Sequence, residues 1–414
     1  MSHTGTTDPA SAPDTAYPFA PRPVDEAVEH LHRVMADRPM SRMTMPHGGD
    51  VWLVHRHQAA RDVLSDSRFV REPFRTGERV VPFFVPFPDF LRSTLQFEDP
   101  PQHTKLRRLV QKAISPKRVR QMRDSAAAFA NQLIDRMVER GGVRDLVPEY
   151  ALALPIEMLS NLLGVPSADR EKFERWSSST LAVAGKSEEE VAADMGELAA
   201  YMSDLIARRR DEPKEDLLSL LANARDKDET LTDAEILPIA MLLIIGGFDN
   251  TANFLATGVL ALLRNDDQRR LLLDDIDALA PTAAEEVLRH GLASMGLPMG
   301  GGGGLVPFVA TEDVTIDGQL IAAGEAVSID PSAANHDPSV FEDSARFDIT
   351  RTDNPQMTLS YGLHHCLGAP LARMELQVGV SELFRRLPDL RLAGEPAFNR
   401  DHLTQPMASL PITW

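Results

Sequence analysis

Cysteine is almost absent from this chain, because Cys366 is the only one in 414 residues. A single cysteine excludes an internal disulfide, so the thiol either packs as a small apolar side chain or takes part in chemistry. Aromatic residues are scarce too, at 6% of the composition. A hydrophobic run long enough for a membrane span is also lacking, since the most apolar stretch covers residues 236–248 and contains one proline and two glycines.

Basic charge is in deficit, because 43 Lys and Arg stand against 61 Asp and Glu, which gives a formal net charge of −18. This balance argues against a nucleic-acid binder, which would carry a basic excess, and favours solubility. Residues 1–20 are polar and proline-rich and lack the apolar region of a secretory signal, so we predict a flexible arm there. We expect a cytoplasmic protein that binds neither nucleic acid nor a membrane.

Helical periodicity dominates the rest of the sequence, and no linker clearly divides it. Residues 119–142 and 187–213 have the apolar spacing of amphipathic helices. The VWLV segment at 51–54 is typical of a short strand, and the Asp-Gly pair at 317–318 of a hairpin turn. We therefore predict a mainly α fold with small β-sheets, in a single large domain over residues 21–414.

A long helix that is apolar on every side is predicted from residue 232 to about residue 264, so it should run through the core. Gly246, Gly247, Asp249 and Asn250 interrupt its middle. Glycines weaken a helix, and a buried aspartate needs a partner. Two interpretations stay open: a kink with local hydrogen bonds, or a helix thinned so that a flat ligand lies against it beside an acid.

A basic run inverts the charge of the chain locally. Eight Lys or Arg and no acid lie between Lys105 and Arg123. His103 and Arg107 share one helix face because they are four residues apart. The run is either a solvated face, or it divides into inward members that bind an anionic ligand and outward members that bind an acidic partner. The predicted outward members are Lys112, Lys117 and Arg118.

The single cysteine lies in the segment LSYGLHHCLGAPLAR, residues 359–373. Gly362 and Gly368 allow a tight turn around the sulfur, and Pro370 suits the first turn of a following helix. The N-terminus of that helix favours a thiolate. Zinc is a poor interpretation of this cluster, because adjacent residues seldom fold onto one tetrahedral ion.

This segment, together with EVLR at 286–289 and DPPQHTKLRR at 99–108, resembles the corresponding motifs of bacterial cytochromes P450. The resemblance covers nearly the whole chain. It implies a single large triangular fold, mainly α, with haem between the long central helix and the Cys-loop helix. It also implies that Cys366 is the thiolate ligand of the iron of haem b, a ligand type that favours O–O cleavage.

The resemblance assigns further roles by position. Asp249 and Asn250 correspond to the oxygen-activation motif and are the expected catalytic residues. The implied haem contacts are His103, Arg107, Gly246, His364, Cys366 and Gly368. A structural triad is implied at Glu286, Arg289 and Arg346. The candidate substrate pocket consists of Phe83, Phe84, Phe87, Ile245, Phe248, Leu297 and Met407.

Some positions depart from the family pattern. Asn250 stands where the family usually has threonine, and Leu359 and Ser360 replace a phenylalanine and a glycine before the Cys loop. Phe308 stands where an arginine commonly pairs with a haem propionate. One lost charge-assisted bond costs about 1.5–3 kcal/mol, so we still expect haem to bind through its other contacts.

The resemblance implies a monooxygenase that uses O2 and NAD(P)H-derived electrons to hydroxylate or epoxidise a hydrophobic small molecule in natural-product biosynthesis. A ferredoxin and a ferredoxin reductase are the implied redox partners. One alternative is a haem-thiolate oxidase that couples, cyclises or rearranges its substrate without inserting oxygen. A haem sensor or carrier without turnover is another. The glycine tract at residues 300–304 is predicted to be a mobile loop that faces the pocket.

Overall fold

The computed structural model describes residues 24–83, 92–169, 171–172, 175–176, 187–223, 225–226, 229–247, 249–291, 306–399 and 406–414. The predicted arm at residues 1–20 and the glycine tract at 300–304 lie outside these ranges. The chain divides into two compact units. The first contains the residues up to Arg92, Leu292–Ala345 and Met357–His365, and the second contains Ser93–Gly291, Arg346–Gln356 and Cys366–Trp414.

Helices supply most of the regular structure, as predicted. The α-helices are α1 (Val24–Asp37), α2 (His57–Ser65), α3 (Glu72–Arg75), α4 (Gln102–Ala113), α5 (Pro116–Arg140), α6 (Ala153–Leu163), α7 (Glu188–Asp211), α8 (Leu217–Ala222), α9 (Asp233–Gly247), α10 (Asp249–Arg264), α11 (Asp266–Asp274), α12 (Ile276–Gly291), α13 (Pro331–Ala334) and α14 (Ala369–Arg386). Short helical turns of other types occur at Leu95–Phe97, Val147–Ala151, Ser167–Asp169 and Gly362–His364.

The strands are short. They are β1 (Met40–Met45), β2 (Gly49–Val54), β3 (Phe69–Val70), β4 (Arg144–Asp145), β5 (Arg225–Asp226), β6 (Glu229–Thr230), β7 (Phe308–Ala310), β8 (Val314–Ile316), β9 (Gln319–Ile321), β10 (Ala326–Ile329), β11 (Arg391–Leu392), β12 (Ala397–Phe398), β13 (Met407–Ser409) and β14 (Pro411–Thr413).

The first unit is built on a five-stranded sheet with the strand order β1-β2-β10-β7-β3. The predicted VWLV strand is the buried part of β2, which pairs antiparallel with β1 and parallel with β10. The predicted Asp-Gly turn joins β8 to β9, where Asp317 and Gly318 both adopt positive φ. That geometry is the one that closes a two-residue hairpin.

The second unit packs helices around α14, which contacts α5, α12 and α10. The predicted amphipathic helices are confirmed as α5 and α7, and Ser187 and Glu190 form a reciprocal capping box at the start of α7. Close packing on α14 depends on Gly379. An added Cβ there would lie 3.0 Å from Leu255 of α10, and the Gly379 carbonyl accepts a hydrogen bond from Tyr150 (2.7 Å).

The predicted central helix consists of α9 and α10, with Phe248 between them outside the described residues. The combined helix, Asp233–Arg264, is long and apolar enough to cross a membrane, and 69% of its most apolar window is buried inside the protein. Its bounds agree with the predicted helix from residue 232 to about residue 264, and the whole helix is much longer than its most apolar stretch at residues 236–248. Burial of this extent is typical of the core helix of a globular protein.

A buried ion pair fixes α12. The guanidinium of Arg289 donates to both carboxylate oxygens of Glu286 (2.6 and 2.8 Å), and neither side chain is exposed to solvent. The Glu286 carboxylate also accepts hydrogen bonds from the Asp348 amide (2.9 Å) and from Asn354 (3.1 Å). These hydrogen bonds to the Glu286 carboxylate stabilise the fold, because removing one partner of a buried ion pair costs about 3–5 kcal/mol.

The predicted third member of this cluster differs from the structure. The guanidinium of Arg346 is exposed and lies 4.0 Å from Asp267, and only the Arg346 carbonyl joins the cluster, by accepting from Arg289 (2.8 Å). Arg351 brings its guanidinium to Glu286 instead, at 3.5 Å. The carbonyl satisfies the same donor from the main chain, so the exposed side chain of Arg346 is not needed there.

A second buried carboxyl belongs to Glu375 of α14. Glu375 is 2% exposed, and among the described residues its Oε2 has no hydrogen-bond partner. Burial disfavours the ionised form, so the pKa of the Glu375 carboxyl lies well above its ordinary value. The folded protein therefore holds a proton that the unfolded chain releases as the pH rises.

We predict that Glu375→Gln stabilises the protein increasingly as the pH rises. Below the ordinary carboxyl pKa of about 4.3 both states of the parent are protonated, and above it the parent loses about 1.4 kcal/mol per pH unit until the folded-state pKa is reached. Urea unfolding at pH 5 and at pH 8 measures the effect. A gain of the same size at both pH values would contradict the assignment of a protonated carboxyl.

Candidate active site

The Cys loop begins with a turn held against α2. Gly362 has φ +64, and an added Cβ would lie 2.6 Å from the Leu64 carbonyl oxygen, so only glycine fits this position. Ser360 also adopts a left-handed conformation, with φ +60. For a residue with a Cβ that conformation costs about 1–2 kcal/mol. The family glycine would avoid this cost, so the departure at Ser360 is accompanied by backbone strain.

Cys366 lies three residues before the start of α14, and the groups around it shift the pKa of its thiol in opposite directions. Burial raises the pKa of its thiol above the ordinary value. The amide groups of Gly368 and Ala369 and the charges of Arg107 and Arg373 act in the opposite direction. The predicted influence of the helix N-terminus is therefore present, but burial outweighs it, so a thiolate here requires an added positive charge. A bound iron would supply that positive charge.

Two of the predicted anion-binding residues, His103 and Arg107, lie on α4, which belongs to the same unit as Cys366. His103 is 1% exposed, and its amide donates to the Asp99 carbonyl (3.0 Å). Arg107 is half-buried, and burial lowers the pKa of its guanidinium while the nearby Cys366 sulfur raises it. Arg107 is thus close enough to the thiol for each to affect the charge of the other. A half-buried guanidinium of this kind is well suited to a carboxylate ligand.

The two glycines of the central helix, Gly246 and Gly247, have different surroundings. An added Cβ on Gly247 would lie 3.2 Å from Leu159, so this glycine allows α6 to approach. An added Cβ on Gly246 would meet nothing within 4 Å, and Gly246 is exposed in a helix that is mostly buried. Asn250, one turn later, is also incompletely buried. Gly246 and Asn250 therefore mark an open stripe on the central helix.

The polar residues beside this stripe are arranged around the helix. Asp249 is 8% exposed. The side-chain amide of Asn250 donates to the Gly246 carbonyl (3.3 Å), and the hydroxyl of Thr251 donates to the Gly247 carbonyl (3.2 Å). Thr251 is 5% exposed, so it faces away from the open stripe, as the helical rotation of about 100° per residue requires.

Of the predicted pocket residues, two are described in full. Phe83 is 5% exposed and forms a reciprocal main-chain bridge with His47 (3.0 and 3.1 Å), so in this structure it packs in the core of its unit. Met407 is 3% exposed, and its amide donates to the Asn253 side chain (3.1 Å). The side chain of Ile245 lies outside the described residues, as do Phe84, Phe87, Phe248 and Leu297.

Two arginines were missed by the sequence reasoning. Arg71 is fully buried, donates to the Val306 carbonyl (2.9 Å) and stacks 4.1 Å above the ring of Phe308. The Phe308 ring in turn lies 5.8 Å from the ring of His364. Arg373 of α14 pairs with Glu285 at 2.5 Å. Pairing of Arg71 with Phe308 depends on the β3–β7 register, which local sequence does not reveal.

Within the second unit, these features fit a flat haem with one protein ligand to its iron. Gly246 leaves space on the central helix, Cys366 retains partial exposure before α14, and Arg107 offers a cation near the sulfur. Among the described residues, no group of three or more His, Cys, Asp and Glu could hold a metal ion. Haem brings four nitrogen ligands of its own, so one thiolate is the only protein ligand required.

Comparison with known proteins agrees with this arrangement. The family model for cytochrome P450 matches residues 303–389. The mycinamicin IV hydroxylase/epoxidase of Micromonospora griseorubida is 39% identical over 408 residues, which cover 98% of this chain and all of that enzyme. The crystal structure of the mixed-function P450 MycG has a TM-score of 0.86 at 38% identity, with 97% and 100% of the two chains covered.

A cytochrome P450 with biaryl coupling reactivity is also similar, with a TM-score of 0.85, 36% identity and coverage of 95% of this chain and 99% of that one. Such similarity extends across both units and well beyond the Cys loop. We conclude that this chain belongs to the cytochrome P450 family and is a haem-thiolate monooxygenase.

Proposed function

We propose that this monooxygenase hydroxylates or epoxidises a hydrophobic natural product in the cytoplasm. The observation that carries the proposal is the open stripe at Gly246 and Asn250, which adjoins the buried acid Asp249 on a helix that is otherwise mostly packed. The relative whose name includes mycinamicin IV supports the substrate class. Haem, when bound, supplies the redox-active iron at which dioxygen is activated.

The residues around the haem site then have distinct tasks. Cys366 would ligate the iron through its thiolate, and the amides of Gly368 and Ala369, which hydrogen-bond the sulfur, would orient it. Arg107 and His103 of α4 would bind anionic groups of the haem. Because burial raises the pKa of the Cys366 thiol, ligation would release the thiol proton and place a negative charge beside Arg107.

We assign different roles to the polar residues Asp249 and Asn250 of the central helix. Splitting O2 so that one atom enters the substrate and the other leaves as water consumes two protons and two electrons. Asp249 delivers protons from the bulk solvent. Asn250 cannot relay a proton as readily as a hydroxyl, but its amide offers two donors and one acceptor. We assign it the task of orienting the substrate or an ordered water.

A second outcome is coupling or ring closure without oxygen insertion. The structural relative with biaryl coupling reactivity favours it, since a fold of high similarity supports that chemistry. The two outcomes separate in one experiment. Candidate hydrophobic natural products are first screened for a high-spin shift of the haem band, and hits are then turned over under isotopically labelled O2. Label in the product supports the monooxygenase proposal, whereas a coupled or cyclised product without label supports the alternative.

Members of this family bind small molecules and take electrons from redox partners. We propose an acidic ferredoxin, reduced by a ferredoxin reductase with NAD(P)H, as the partner here. The exposed members of the basic run on α4 and α5 support this proposal, since α5 packs along the Cys366 helix and Arg123 donates to Gln377 of α14 (3.1 Å). These exposed members are Arg108, Lys117, Arg120 and Arg123.

The predicted outward residues need one adjustment. Lys117 is exposed, whereas Arg118 donates to the Glu215 carbonyl (2.6 Å) and is tied to its own unit. The side chain of Lys112 lies outside the described residues. Lys117 and Arg120 are therefore the better positions at which to test the surface.

We predict that Cys366→Ser abolishes the red-shifted carbon monoxide band of the reduced protein, because a hydroxyl does not replace the thiolate ligand. The measurement is the difference spectrum of the dithionite-reduced protein before and after addition of carbon monoxide. A variant that retains haem and also keeps the band would overturn the assignment of Cys366.

We predict different effects for three neighbours on the central helix. Asp249→Asn should slow turnover by about 10²–10⁴-fold, the usual contribution of a positioned acid or base. Asn250→Ala should mainly lower the product formed per NAD(P)H or change its regiochemistry. Thr251→Ala should change neither strongly, because its hydroxyl is buried against the Gly247 carbonyl.

The three variants are compared for turnover, product distribution and peroxide release. If Thr251→Ala lost its activity while Asn250→Ala behaved like the parent, the motif would be misregistered by one residue.

We predict that the double variant Lys117→Glu and Arg120→Glu slows reduction by an acidic ferredoxin about 10-fold or more at low ionic strength, because electrostatic steering raises association rates. Arg136→Glu is the matched control, since it reverses an exposed charge on the same helix about 24 Å further along. Stopped-flow reduction at several salt concentrations measures both. Equal rates for the double variant and the control would refute this docking surface.

A further inference from the structure

An ion pair joins Glu285 of α12 to Arg373 of α14, the helix that follows Cys366. The Arg373 guanidinium donates through Nε (2.5 Å) and Nη2 (3.1 Å), with one hydrogen bond to each carboxylate oxygen. The Glu285 carboxylate also accepts a hydrogen bond from the side chain of Gln356 (3.2 Å). A bidentate pair with a third partner holds both charges in one geometry.

Arg373 lies on the face of α14 that continues the Cys loop. The Cys366 carbonyl accepts a hydrogen bond from the Ala369 amide (3.3 Å), so the turn that leads into the helix begins at the cysteine. Residues three or four apart share a helix face, and Cys366, Ala369 and Arg373 have this spacing. Long side chains on a helix lean toward its N-terminus. The side chain of Arg373 therefore extends toward the end of the helix at which the sulfur lies.

The electrostatics of the thiol agree with this placement. Burial raises the pKa of the Cys366 thiol, and the positive charges of Arg107 and Arg373 act in the opposite direction. Arg107 belongs to α4, whereas Arg373 is the cation on the helix that follows the thiol. A carboxylate paired with a cation offsets the potential of that cation at a third group. Glu285 therefore determines how much of the Arg373 charge acts on the sulfur.

We propose that Glu285 is a positioning residue that tunes the reduction potential of the haem iron, because it holds Arg373 near the Cys366 sulfur and offsets part of its charge. A cation near the sulfur stabilises the negative charge of the thiolate. It also stabilises the ferrous state, which carries one negative charge more than the ferric state. Both effects favour reduction, and the carboxylate opposes them. Charge and hydrogen bonds around the ligands of a metal are general determinants of its potential.

Removal of the two charges should shift the potential in opposite directions. Arg373→Gln removes the cation and leaves the carboxylate, so the equilibrium constant for reduction should fall about 3- to 10-fold, the effect of one charge at a partly exposed site. Glu285→Gln leaves the cation without its carboxylate, so the same constant should rise about threefold. A tenfold change corresponds to about 59 mV for a one-electron couple. The double variant should lie between the two single variants, because it loses the pair as a neutral unit.

The measurement is a spectroelectrochemical titration of the full-length holoenzyme. A reduced mediator dye gives one electron to the ferric iron, so the dye is oxidised, the iron becomes ferrous, and no bond forms or breaks. The titration requires neither substrate nor ferredoxin, so its result is independent of the proposed substrate and of the proposed redox partner. A carbon monoxide band at the parent position shows that each variant retains the thiolate ligand.

Arg385 and Asp277 supply the matched control, because they form an ion pair between the same two helices (2.7 Å). Arg385 lies about 18 Å further along α14 than Arg373. Arg385→Gln and Asp277→Asn should therefore leave the potential unchanged. Arg373→Lys is the conservative variant, since it keeps the positive charge and loses the bidentate geometry. Its potential should lie close to that of the parent.

Two results would overturn the inference. The first is a potential equal to that of the parent in both Arg373→Gln and Glu285→Gln. The second is a shift of the same sign in both, because a pair that only braces two helices disturbs the haem site in the same way whichever partner is lost. If Arg373→Gln does not retain haem, Glu285→Gln decides: a raised potential supports the role of Glu285, and an unchanged one refutes it.

Discussion

The second unit depends on one buried carboxylate. Glu286 receives the guanidinium of Arg289, the amide of Asp348 and the side chain of Asn354, and it is inaccessible to water. Its neighbour Glu285 holds Arg373 of the Cys366 helix and the side chain of Gln356. Helix α12 thereby fixes both the segment at 346–356 and the helix that follows the thiol. A charge so deeply buried is tolerable only because every partner is present.

Much of the site follows from local sequence, because the relevant constraints are local. A cysteine before a helix, glycines that permit a tight turn, and a capping box each act within a few residues of the chain. The same holds for the hairpin at Asp317 and Gly318. The helical positions of Asp249, Asn250 and Thr251 were equally predictable, since 100° of rotation per residue is a property of the backbone.

What the sequence did not reveal depends on contacts between distant segments. Arg346 matches the family pattern, yet its side chain is exposed and only its carbonyl joins the cluster, by accepting a hydrogen bond from Arg289. The second guanidinium near Glu286 belongs to Arg351. Gly246 and Gly247 look alike in the sequence, but only the position of Leu159 on α6 distinguishes the glycine that packs from the one that opens space. Stacking of Arg71 on Phe308 likewise requires a sheet register that no short motif specifies.

The hydrogen bond between Asn253 of α10 and strand β13 has an implication for how the sequence of this enzyme can vary. Asn253 holds residue 407 by its main-chain amide, so the anchor is indifferent to the side chain carried there, with proline as the exception. Replacement of Met407 keeps this hydrogen bond, but the side chain is 3% exposed, so a larger residue must displace its neighbours. The hydrogen bond that attaches the strand is therefore independent of the side chain at residue 407.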